Sequence, residues 1–209
     1  MSLESADILG SEGRIAARLT DYEQRPQQLE MAAAVAESLA EGRHLIVEAG
    51  TGVGKSFAYL VPAILAATEA ESDKSKVRRV VISTHTISLQ EQLVHKDLPF
   101  LNSVIPREFS SVLVKGRSNY LSHRRTASAL NRAQSLLYDD EEVTHLSDIA
   151  RWATATNDGS LSDLSYRPLG GVWDEVDSDH TKCLGRNCPT YAKCFYYKAR
   201  RQAQHAQLL

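Results

Sequence analysis

His44-Leu45-Ile46-Val47-Glu48-Ala49-Gly50-Thr51-Gly52-Val53-Gly54-Lys55-Ser56 is the stretch on which the reading of the whole chain turns. It opens as a short apolar run of the kind that forms a buried strand, and from Ser56 to Glu69 apolar residues recur at helical spacing. Between the two lies the phosphate-loop pattern, a small residue, four variable positions and Gly-Lys-Ser, with Ala49 where many such loops have glycine. Gly50, Gly52 and Gly54 allow backbone angles closed to other residues. The N–H groups from Gly50 through Thr51, Val53 and Gly54 can then turn inward as a nest for phosphate oxygens. The helix that follows adds its positive end. Lys55 has the reach for the β- and γ-phosphates, and the Ser56 hydroxyl can ligate a bridging Mg2+. The expected ligands are therefore ATP and Mg2+, with Lys55 and Ser56 as the catalytic pair.

Outward from this loop, strand and helix signals alternate. Residues 11–20 read as a short helix, and a longer one runs from Pro26 in its first turn to Gly42 just past its end. Lys74 to Arg79 reads as a charged connector, Arg79 to Thr84 as a second strand, Thr86 to Leu98 as a helix and Ser111 to Val114 as a third strand. This order predicts an α/β fold whose parallel sheet is covered by helices, with the ligand at the carboxyl ends of the strands. From about Gly116 the pattern changes to two helices over 120–156, then a Gly-, Asp-, Ser- and Asn-rich stretch over 157–188, then a helix from Tyr191 to Gln204.

The 209 residues carry 24 basic and 26 acidic side chains, a formal charge of −2, so any nucleic-acid contact must be local. No apolar run approaches a membrane span, and the first residues lack a basic start, so the expectation is a cytoplasmic protein with no membrane partner.

Two further runs flank the loop: Tyr22-Glu23-Gln24-Arg25-Pro26-Gln27-Gln28-Leu29-Glu30-Met31 and Ser83-Thr84-His85-Thr86-Ile87-Ser88-Leu89-Gln90-Glu91-Gln92-Leu93. Together with the loop they resemble the Q motif, motif I and motif Ia of superfamily-two helicases, in the DinG-like branch of the XPD family. The resemblance implies an incomplete RecA-like ATP-binding domain over residues 1–115, an iron–sulfur-type helical insertion over 116–200, and a return to the first domain over 201–209. It also implies an ATP-dependent DNA helicase that moves 5′ to 3′ on single-stranded DNA in repair. Gln28 would read the adenine edge with Arg25 in support. Thr84, His85, Thr86 and Gln90 would hold a backbone phosphate of single-stranded DNA near a helix start.

Cys183, Cys188 and Cys194 crowd into twelve residues, an odd count that argues against a disulfide framework. The family holds a [4Fe-4S] cluster with one distant and three closely spaced cysteines. Lys115-Gly116-Arg117-Ser118-Asn119-Tyr120-Leu121 resembles the segment that ends in the distant one, but here the next residue is Ser122. Three outcomes follow: a labile iron–sulfur centre, a zinc site recruiting His180 or Asp177, or free thiols. Arg117, His123, Arg124, Arg125, Arg132, Lys193, Lys198, Arg200 and Arg201, interleaved with tyrosines, suit single-stranded DNA.

Hydrolysis also needs an acidic pair after a later strand. Asp139-Asp140-Glu141-Glu142 reads instead as a junction between helices. The alternatives to a helicase front portion are a non-catalytic module for ATP or single-stranded DNA and an unrelated P-loop kinase.

Overall fold

The computed structural model describes residues 3–69, 78–133 and 140–209. The chain divides into two compact units, one reaching Leu113 and taking back His205–Leu209, the other spanning Val114–Gln204. Most of the connector read over Lys74 to Arg79, and Asp139 of the helix junction, lie outside the described residues.

In the first unit, α1 (Ser5–Leu9), α2 (Pro26–Glu41) and α3 (Lys55–Ala67) pack around one core. Pro26 stands in the first turn of α2 and Gly42 closes it in the left-handed conformation at φ 65°, as the sequence predicts. Helix α3 is apolar almost all round. Leu60, Val61 and Ile64 are fully buried, each contributing roughly 1.5–3 kcal/mol relative to exposure. Two arginines serve the ends of these helices: Arg78 donates to the Leu39 carbonyl of α2 and Arg107 to the Leu65 carbonyl of α3. Beyond Thr86 come α4 (Ile87–Gln92), a π turn at Leu93–Asp97, and α5 (Leu98–Val104), so the helical path runs past the expected end at Leu98.

Residues 11–20 are turns rather than the expected helix. Here the chain folds back on α1 so closely that a Cβ on Gly10 would sit 2.6 Å from the Ala6 carbonyl oxygen, and one on Gly13 would sit 2.7 Å from that of Ile8. The strands are also corrected. Among the described residues of the first unit there is no extended ladder, only isolated parallel bridges from Leu208 to Val80 and to Ser111. Residues 207–209 thereby lie between 80–82 and 110–112, held by bonds such as Val80 N–H to the Gln207 carbonyl at 2.8 Å and Val112 N–H to the Leu208 carbonyl at 3.0 Å. His44 to Glu48 pairs with nothing described, and Ile46 is 98% exposed. A strand owes its hydrogen bonds to its neighbours, so apolar content alone does not form one.

The second unit has its own core, in which Tyr120, Leu121, Ile149 and Val176 are almost wholly buried. It comprises α6 (His123–Ala133), α7 (Asp140–Ala155), α8 (Gly170–Val176) and α9 (Phe195–Ala203). Tyr120 and Leu121 bridge antiparallel to Ser160 and Asp177. Helix α8 falls within the stretch read as irregular. Gly170 and Gly171 at its start mask the apolar pattern that buries Val172, Trp173 and Val176.

Candidate nucleotide-binding site

The phosphate loop leaves residue 48, turns at Thr51 and Gly52, and enters α3 at Lys55. Gly52 and Gly54 take φ of 85° and 83°, whereas Gly50 stays out of the left-handed region. No backbone N–H from Thr51 to Ser56 donates to another group among the described residues. The loop thus presents a run of donors at the positive end of a long helix, the arrangement that receives phosphate. The Lys55 ammonium folds back to the Gly50 and Ala49 carbonyls, at 2.7 and 3.0 Å. Burial raises the pKa of the Tyr59 phenol against a smaller opposing pull from Ser56, so the phenol stays protonated at neutral pH.

Both residues assigned to the adenine end hold this loop. The Arg25 guanidinium donates to the Gly52 carbonyl. Gln28 is buried, donates from Nε2 to the Gly54 carbonyl at 2.9 Å, and accepts from the Tyr22 hydroxyl at 3.4 Å. The same Tyr22 hydroxyl bonds the Leu9 carbonyl at 2.6 Å, tying the loop to α1. Gly54 is bare of a side chain for a reason: a Cβ there would stand 2.1 Å from Gln28 Nε2. Sequence reading missed this internal use of Gln28, because its partner lies 26 positions away.

Thr84, His85, Thr86 and Gln90 come together around the start of α4. Thr86 caps the helix, its hydroxyl accepting from Leu89 N–H at 3.3 Å. His85 is exposed, and the Gln90 N–H bonds the Thr86 carbonyl at 3.2 Å. The buried Thr84 hydroxyl has no partner among the described residues.

In the second unit Cys183, Cys188 and Cys194 line one small cavity together with Ser122. All three thiols are free and half-buried. Burial pushes the Cys183 thiol up, but the Gly185 N–H and the Arg117 guanidinium outweigh it and hold it below the ordinary value. Ser122 is engaged in the fold as the cap of α6: its hydroxyl faces the Arg125 N–H at 3.5 Å and its carbonyl accepts from Thr126 N–H at 2.9 Å. Asp177 pairs with Arg125 and His180 sits at the surface beside Asp179, and neither lines the cavity. The zinc set recruiting either of them is therefore not assembled.

The model of the family described as DEAD/DEAH box helicase matches residues 25–202. That span contains the phosphate loop, the run that follows it, all but the first three residues of the run that precedes it, and most of the second unit. The chain belongs to the DEAD/DEAH box helicase family. Such a domain has a P-loop nucleoside triphosphatase fold, and ATP with Mg2+ fits it. Similar proteins include ATP-dependent DNA helicase YoaA of Escherichia coli, 36% identical over 207 residues, covering 97% of this chain and 30% of the relative. ATP-dependent helicase DinG of Mycobacterium tuberculosis is 40% identical over 201 residues, covering 88% of this chain and 29% of the relative. ATP-dependent DNA helicase DinG of Salmonella choleraesuis is 32% identical over 207 residues, covering 92% and 28% respectively. The chain thus spans under a third of the length of these relatives. No helix among the described residues is long and apolar enough to cross a membrane.

The four-thiolate cluster that the sequence resemblance implies does not fit the residues present. Three thiols and one hydroxyl engaged in helix capping surround the cavity, and among the described residues no group of three His, Cys, Asp or Glu side chains is placed to hold a metal ion.

For this helicase-family loop, Gln28→Ala is expected to weaken ATP binding about tenfold, the net worth of one hydrogen bond to the loop. Titration with a fluorescent ATP analogue measures it, and unchanged affinity would show that Gln28 does not support the loop.

Proposed function

We propose that the chain is the ATP-binding front portion of an ATP-dependent DNA helicase acting on single-stranded DNA. The observation that carries the reading is the open run of loop N–H groups from Thr51 to Ser56, braced by Arg25 and Gln28. Lys55 and Ser56 serve the phosphates and Mg2+, while Arg25 and Gln28 act on the nucleotide through the loop they hold as well as at the adenine end. Residues 1–115 and 201–209 form the nucleotide domain and 116–200 the insertion, in the same reading. The exposed Leu45, Ile46 and Val47 support it, since a fuller parallel sheet would cover them. Thr84, His85, Thr86 and Gln90 supply a strand-binding surface, with the partnerless Thr84 hydroxyl as its strongest feature. The related helicases are named for ATP-dependent action on DNA, which this chain would share only as part of such a whole.

Equilibrium binding of Mg–ATP and of a labelled single-stranded oligonucleotide to the 209-residue chain tests the reading. Saturable binding of both is expected. A chain that binds neither would overturn it, and phosphate transfer to a small metabolite with indifference to DNA would favour a kinase.

The cavity of three thiols adds a separate expectation. Ser122→Cys supplies the missing thiolate, so anaerobic reconstitution should raise bound iron from a low, labile level to roughly four atoms per chain, with the brown colour of an iron–sulfur centre. Equal iron in the two proteins would show that Ser122 is not the limiting position.

A further inference from the structure

Asp97 is a buried acid outside the nucleotide loop. It is 5% exposed, and among the described residues no cation stands within ion-pair distance of it. Its carboxylate accepts from the Gln92 side-chain amide at 3.0 Å, across five positions of the chain. The backbone makes a bond of the same span one residue on, from the Leu98 N–H to the Leu93 carbonyl. The π turn at Leu93–Asp97 is thus closed twice, by main chain and by side chains. In a continuous α-helix, positions five apart do not face each other, so a buried carboxylate satisfied by Gln92 favours the π turn over that alternative.

This turn sets the face that α4 presents. One residue is about 100° of helix, so the extra residue of a π turn rotates α4 by that amount relative to α5. Helix α5 buries Leu98, Leu101 and Val104, whereas α4 buries none of its six residues and meets the core at the partly buried Leu89. An element with so few buried contacts takes its position from its attachment. The attachment is to the helix that carries the nucleotide loop. The π turn packs on α3, and Phe57, next to Ser56, stacks on Phe100 of α5 with ring centres 5.7 Å apart and planes 13° apart. Tyr59, one turn along α3 from Ser56, is under two opposite influences: Ser56 pulls its pKa down and the Asp97 carboxylate pushes it up.

We infer that Asp97 is a positioning residue that fixes α4 to the first turn of α3 through the Gln92 bond and the π turn, so that nucleotide at Lys55 and Ser56 is felt at α4. It rests on the nucleotide-binding reading above and is independent of what α4 contacts. When Ser56 turns to Mg2+ its pull on Tyr59 is released, and the phenol is left to the Asp97 carboxylate. A carboxylate accepts several hydrogen bonds, so Asp97 gains the phenol without giving up Gln92, and the π turn is held more firmly.

Hydrogen exchange read by mass spectrometry on the 209-residue chain, with and without saturating Mg–ATP, is the test. In the wild type Mg–ATP is expected to slow exchange in peptides covering residues 86–97 by at least about fivefold. Gln92→Ala removes the side-chain bond from an exposed position, and should bind Mg–ATP with unchanged affinity yet lose the slowing at 86–97. Asp97→Asn keeps an acceptor for Gln92 and should retain the response. A wild-type chain that binds Mg–ATP with unchanged or faster exchange at 86–97 would overturn the inference while leaving the nucleotide reading intact. So would a Gln92→Ala chain that keeps the full response. A folded wild-type chain that binds no Mg–ATP would overturn the nucleotide reading itself, and the role of Asp97 with it.

Discussion

Lys55→Ala is expected to lower Mg–ATP affinity by at least about a hundredfold while leaving the fold intact. The Lys55 ammonium is exposed and its partners are the carbonyls of Ala49 and Gly50, which water can satisfy when the side chain is cut back. Stability therefore changes little. Binding changes greatly, because a charged hydrogen bond to phosphate contributes roughly 1.5–3 kcal/mol and the proposed role gives Lys55 two phosphates to serve. A loss of about 3 kcal/mol is a factor of more than a hundred in affinity. Lys55→Arg keeps the charge but not the compact ammonium, and should fall between the two. Calorimetric titration with Mg–ATP, paired with circular dichroism, separates binding from folding. Near-wild-type affinity in a folded Lys55→Ala protein would end the phosphate-loop assignment.

Arg125→Ala should destabilise the second unit by about 3–5 kcal/mol, the usual cost of stripping one partner from a buried ion pair. Arg125 and Asp177 side chains are 8% and 13% exposed. The guanidinium spans from α6 to the end of α8, donating to the Asp177 carboxylate, to its backbone carbonyl at 2.6 Å and to the Asp174 carbonyl. It thereby closes three acceptors at a helix C-terminus, where a cation is favoured. In a unit of this size the loss corresponds to a fall in melting temperature on the order of 15–25 °C.

The pH dependence provides a second signature. Burial pushes the Asp177 carboxyl above its ordinary value and Arg125 pulls it back. Without Arg125 the folded-state pKa rises further, so the folded variant takes up a proton more readily than the unfolded chain. The deficit should then be largest at neutral pH and shrink as pH falls through the raised value. Replacing the pair together, as Arg125→Met with Asp177→Leu, should recover much of the loss, since an apolar pair of similar volume leaves no buried charge. A single Arg125→Ala variant that melts within a few degrees of wild type would show that solvent already satisfies Asp177.

Several elements were legible from local chemistry. Pro26 and Gly42 delimit α2 because proline fits a first turn and glycine fits a left-handed close, and the structure has both. The loop into α3 follows from its glycines and the apolar run after it. The helix expected over 11–20 failed because the approach of Gly10 and Gly13 to carbonyls of α1 imposes turns there. Helix α8 escaped notice because two glycines open it, while the burial of Trp173 that stabilises it comes from neighbours distant in sequence. The apolar run at 44–48 shows the opposite failure. It has the composition of a strand, but its edge groups find no partner among the described residues.

The division recurs within the candidate sites. From sequence alone came the phosphate loop, the family resemblance that the DEAD/DEAH match shows, the three clustered cysteines and the serine beside them. These depend on residues within a few positions of one another, whose backbone angles and ligand types are set locally. Only the tertiary structure decided that Gln28 grips the Gly54 carbonyl, that Ser122 caps α6, that Asp177 belongs to Arg125, and that Arg124 and Arg132 face a cleft while Arg117 lies on Tyr196. Composition offers a polar side chain several partners. Its partner is chosen by proximity and burial, because a polar group removed from water must bond whatever the fold brings within about 3 Å.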